Sequence, residues 1–146
     1  MASIGHLARR FVGSLSRQPP SAADEGWVRG CLADAEWVLW AQMTPADRRH
    51  AVLVAKRFGE RRPSAARAEM AGALLHDVGK IDAGLGTLAR VVATMVGPRT
   101  DRFRRYHDHE RIGAALLEAA GSDPVTVALV RGSGDAFADL CAADDI

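Results

Sequence analysis

Apolar residues recur along nearly the whole chain at intervals of three and four, the period of an amphipathic helix. No stretch of useful length shows the period of two that a half-buried strand requires. Ile4, Leu7, Phe11 and Leu15 form a stripe on a short first helix that stops before Pro19-Pro20. A second helix is predicted from about Asp24 to Gln42, with Val28, Cys31, Leu32, Ala35 and Leu39 on one face and Trp37 and Trp40 as a further apolar ridge. Thr44-Pro45 opens a third, with Thr as N-cap, Pro at the first helical position and Asp47 at the third. It carries His50, Leu53, Val54 and Phe58 and is expected to stop near Gly59. Pro63-Ser64 starts a fourth, running through Met70, Ala73 and Leu74 to His76-Asp77 and breaking near Gly79.

Leu85 to Val96 reads as a mostly apolar helix ended by Gly97-Pro98, and Arg102 to Ala120 as another with Gly121 as its stop. Asp123-Pro124 caps the next, which reaches Val130 and breaks at Gly132-Ser133-Gly134; a last helix begins at about Ala136. The expected architecture is a single compact all-α domain of seven or eight helices. Residues 1–20 form a short basic amphipathic N-terminal helix and 21–146 the helical domain proper.

Composition narrows this little. A chain of 146 residues, 48% hydrophobic and 25% charged, can bury a sizeable core. Nineteen Lys and Arg against eighteen Asp and Glu leave a net charge of +1, which argues against a dedicated nucleic-acid surface. No apolar run is long enough to cross a bilayer, and Met1 to Arg17 lacks the uninterrupted apolar stretch of a signal sequence, so a cytoplasmic location is expected. Cys31 and Cys141, far apart and in apolar contexts, read as small buried hydrophobes rather than a disulfide. The N-terminal helix suits packing against the domain or a partner in a homodimer.

Four residues carry candidate chemistry. His76 and Asp77 are adjacent at the end of an apolar helix, His50 lies a helix earlier, and Asp144 is close to the last residue. Asp77 shares a helical face with Met70, Ala73 and Leu74; Asp144 shares one with Phe137, Leu140 and Cys141, whereas Asp145 does not. A carboxylate on an apolar face must be paired, metal-bound or neutralised. For any one of the four taken alone, the simpler reading is a side chain satisfied by a hydrogen bond or placed at a helix end. Two carboxylates and two imidazoles in one small domain point instead to a shared divalent cation: Mn²⁺, Fe²⁺, Co²⁺ or Mg²⁺ for this donor set.

His50, then His76-Asp77-Val78-Gly79-Lys80, then Asp144 resembles the H…HD…D signature of the HD superfamily of metal-dependent phosphohydrolases, and His109-Glu110-Arg111-Ile112-Gly113-Ala114 is similar to a segment many members carry between the pair and the last Asp. The resemblance spans Thr44 to Ile146 and implies an HD-type helical domain. It implies that His50, His76, Asp77 and Asp144 hold the metal, which makes a water acidic enough to attack phosphorus. Asp77 and Lys80 would be catalytic, with Lys80 neutralising charge on the phosphoryl oxygens; a plain helix-end cap is the equal alternative for Lys80. The substrate would be a small phosphate ester, with nucleotides one class; a non-catalytic module that holds metal or nucleotide, and a di-iron oxidative enzyme, are the rivals.

Members with two metals often carry a further His after the penultimate long helix. Here that stretch reads Val130-Arg131-Gly132-Ser133-Gly134-Asp135, so the ligand count favours one tightly held cation. His109 aligns with Ile112 and Leu116 on the apolar stripe and His107 does not, so His109 is the candidate for a second metal or for supporting the first; a satisfied core histidine is its other reading. Arg102 and Arg105 are candidates for binding a substrate phosphate, against the alternative of a solvated helix face.

Overall fold

The computed structural model describes residues 18–81 and 105–145, with side chains in the second segment from residue 109 onward. Within them the chain is all-α, with no strand. Its elements are α1 (Ala22–Cys31), α2 (Asp34–Gln42), α3 (Pro45–Arg61), α4 (Arg67–Leu74), a 3₁₀ turn (Val78–Lys80), α5 (Arg105–Ala119), α6 (Pro124–Arg131) and α7 (Phe137–Asp144). The expected helices over Ile4–Leu15 and Leu85–Val96 lie outside the described residues, as does Arg102. Arg105 and His107 belong to α5, but their side chains are likewise outside. No helix among the described residues is long and apolar enough to cross a membrane.

Helix ends follow the cap chemistry. Thr44 Oγ1 accepts from the Asp47 N–H at 3.1 Å with Pro45 at the first position, and Asp123 Oδ1 accepts from the Val125 N–H at 2.8 Å ahead of Pro124. Gly121 and Gly132, at φ 74° and 97°, end α5 and α6. Ser122 N–H then reaches the Leu117 carbonyl and Ser133 N–H the Ala128 carbonyl, the six-to-one bond of a left-handed helix stop.

Three expected boundaries move. The helix expected over Asp24–Gln42 is two, because Leu32 and Ala33 turn extended between them. A local cap and tertiary bonds hold this break: buried Glu36 accepts from the Ala33 N–H at 2.8 Å and from the Ser122 hydroxyl at 2.8 Å, while Arg67 donates to the Cys31 and Leu32 carbonyls. α3 runs through Gly59 to Arg61, where Arg61 and Arg62 both bind Asp139 of α7. α4 begins at Arg67 rather than at Pro63-Ser64, after Glu69 caps the Ala66 N–H, and it stops at Leu74.

The core is built from Trp40, Phe58, Leu74, Leu75, Leu117 and Leu129 with their smaller neighbours. α4 lies between α3 and α6, while α7 packs on α3 and α5 on both α6 and the 3₁₀ turn. Gly72 lets α6 close on α4: a Cβ there would stand 2.9 Å from Leu129. Trp40 is buried and Trp27 and Trp37 pack against the core. Both cysteines are free, but Cys31 is only half-buried and Cys141 is exposed, so neither is the fully buried hydrophobe its apolar context suggested.

Candidate metal centre

His76 and Asp77 lie past the end of α4, not on its continuing face. Leu75 and Asp77 take φ near −100° and ψ near +10°, the sparsely populated bridge region, and the chain tightens into i→i+3 bonds from Val78 to Leu75 and from Lys80 to Asp77. The expected alignment of Asp77 with Met70, Ala73 and Leu74 is therefore corrected: a turn, not helical register, aims it. Gly79 makes that turn possible. It sits so close to α5 that a Cβ would fall 1.8 Å from the His109 carbonyl oxygen and 2.8 Å from the Gly113 nitrogen. Gly113 is close from the other side, though less tightly, its own Cβ position being 3.2 Å from Gly79 N. The glycines of the two motifs thus meet, and their contact sets His109 beside Asp77.

Three of the four expected ligands converge. His50 on α3, His76 after α4 and Asp144 at the end of α7 offer one donor atom each, all within 4.8 Å of one another. His50 Nε2 is 2.9 Å from Asp144 Oδ1, and His76 Nε2 is 3.5 Å from the same oxygen. Asp77 stands outside this trio, with Oδ2 3.4 Å from His76 Nε2 and 3.1 Å from the Lys80 ammonium, and Oδ1 3.9 Å from His109 Nε2. Asp145 is exposed, as its register predicted.

The trio could hold a metal ion, and the buried imidazole gives the clearest sign of fit. His76 Nδ1 lies 2.7 Å from the Ala73 carbonyl, which can only accept, so Nδ1 carries a proton and, in the neutral ring, Nε2 presents a lone pair. That Nε2 is buried and has no hydrogen-bond partner. A buried polar atom left this way is costly unless something coordinates it.

Charge around the trio is tightly matched. Burial works against a charged His76, but Asp144 and Asp77 outweigh it and hold its pKa above the usual imidazole range. The hydrogen bond from His50, with the His76 imidazole close by, holds Asp144 far below the usual carboxylate range. Burial opposes ionisation of Asp77, yet His76 and Lys80 bring its pKa down on balance. Lys80 is raised: burial is overcome by Asp77. Such matched charge is the setting in which a cation exchanges with protons.

Beside the trio lies a cavity of about 80 Å³. His76, Asp77, His109, Glu110 and Asp144 form its polar side, and Leu129, Val130, Phe137 and Leu140 its apolar side, with Cys141 at the α7 edge. Glu110 and Cys141 were not singled out from the sequence as site residues. The available signals were the adjacency of Glu110 to His109 and the one-turn spacing of Cys141 from Asp144. Burial pushes the Cys141 thiol up, and Asp144 and Glu110 add to it, so it is a poor nucleophile. No family model, no curated protein and no solved structure matches this chain.

Proposed function

We propose that the chain is a divalent-metal-dependent phosphohydrolase of the HD type, acting on a small phosphate ester, with nucleotides the first class to try. The observation that carries the reading is the buried, unpartnered Nε2 of His76, flanked by Asp77 and Asp144 and joined by His50 from a separate helix. Two imidazoles and a carboxylate suit Mn²⁺, Fe²⁺, Co²⁺ or Mg²⁺, with Asp77 as a fourth donor once its carboxylate turns from Lys80. A bound cation would supply Lewis acidity, polarising water and a phosphoryl oxygen.

The chain's own groups have separable tasks. The Ala73 carbonyl fixes the His76 tautomer. Lys80 is half exposed beside Asp77, able to pivot toward phosphoryl oxygens and balance their charge. The apolar wall keeps part of the cavity free of competing water. Metal analysis of the purified chain, joined to a screen of phosphate monoesters and nucleotides, tests the reading. Turnover that a chelator abolishes and added Mn²⁺ restores is the expected result. Firm metal binding with no turnover of any ester would select the non-catalytic module instead, and two irons with dioxygen consumption the oxidative one.

A further inference from the structure

Among the acidic and basic side chains walling the cavity, most are already committed. Asp144 meets His50, His76 binds Ala73 through Nδ1, Asp77 meets Lys80, and His109 faces Asp77. Glu110 has no hydrogen bond and no ion pair among the described residues, although it is half-buried and lines the same cavity. Successive residues leave a helix roughly 100° apart. His109 accordingly points to the His76-Asp77 turn while Glu110 points to the α6–α7 turn. There its Oε2 lies 3.3 Å from where a Cβ on Gly132 would stand, so the glycine leaves room for the carboxylate.

Resting on the phosphohydrolase reading, we propose that Glu110 is the proton-transfer residue of the site. A cavity of about 80 Å³ holds roughly two or three waters, so anything seated in it is within about one water of Glu110. The oxygen of the attacking water forms the new bond to phosphorus, and its proton passes to the Glu110 carboxylate. The bond from phosphorus to the alcohol oxygen breaks, and that oxygen takes the proton back from Glu110. Inorganic phosphate and the alcohol leave, and the carboxylate is restored. The alternatives are poorer: the trio's lone pairs serve the cation, and the raised Cys141 thiol does not ionise readily.

The test compares Glu110→Gln and Glu110→Asp with the wild type, all loaded with Mn²⁺, on the phosphate monoester the wild type turns over best. In Glu110→Gln, kcat should fall about 100-fold or more. Metal content and KM should be unchanged, and Glu110→Asp should recover part of the rate. Inorganic phosphate should bind the loaded Glu110→Gln chain at least as tightly as wild type, since a repelling charge is gone. A kcat within about threefold of an active wild type would overturn the Glu110 role alone. Loss of metal in Glu110→Gln would overturn it too, making the residue a ligand. A wild type that binds Mn²⁺ but turns over no ester overturns the underlying reading and this role with it.

Discussion

The bond from His76 Nδ1 to the Ala73 carbonyl decides what the rest of the ring can do: Nε2 faces Asp144 and Asp77 and, once it gives up its proton, turns a lone pair on the space between them. Asp144 is the residue that links both imidazoles, so its charge matters more to the trio than its size. Asp144→Asn is expected to weaken Mn²⁺ binding by more than about 100-fold, since it removes a ligand and not merely a supporting hydrogen bond. The exposed Asp145→Asn should bind as the wild type does. Equilibrium dialysis of the two variants checks this, and the reverse order would mean that the end of α7 had been assigned the wrong register.

At the level of elements, the contact between the 3₁₀ turn and α5 is the least forgiving glycine contact among the described residues. Gly79→Ala sets a methyl group against the His109 carbonyl, so the turn or α5 must move. A loss of at least about 2 kcal/mol is expected by urea unfolding, as for overpacked interiors, together with weaker metal binding. Gly26→Ala in α1 meets nothing within 4 Å and should instead stabilise the chain by about 0.5–1 kcal/mol. Equal behaviour of the two variants would argue against the contact. Much of this layer was legible in the sequence. Thr44-Pro45, Asp123-Pro124, Gly121 and Gly132 announced their helix ends because caps act within one turn of chain. The α1–α2 break was not, because its determinants, Ser122 and Arg67, come from residues far along the chain. His50, His76 and Asp144 were expected together from the pairing of His76 with Asp77, the register of Asp144 on its helix and the resemblance to the H…HD…D signature, whereas Asp77's direction depends on a turn and Glu110's on where α6 ends.

At the scale of the whole molecule, the matched charges should make stability depend on pH and, under the proposed metal binding, on a divalent cation. His76 has its pKa raised on folding, so its contribution is fully present below the unfolded imidazole range and is lost as pH rises through the folded value. Asp144 and Asp77 are lowered, so theirs is present above the unfolded carboxylate range and is lost as pH falls. The metal-free chain should therefore melt highest in the mildly acidic window between those ranges. A divalent cation, which replaces the His76 proton, should move the maximum to higher pH. Cation at about 100 times its Kd should add about 2.7 kcal/mol. Thermal melts across pH, with and without a chelator, read both effects; identical profiles would contradict them.

The most direct measurement of the central claim is elemental analysis of the wild type and His76→Ala after gentle desalting from Mn²⁺, with circular dichroism as a control on folding. The account predicts about one equivalent of metal per wild-type chain and essentially none in the variant, at similar helical content. Equal metal in the two proteins, or none in a folded wild type, would contradict it.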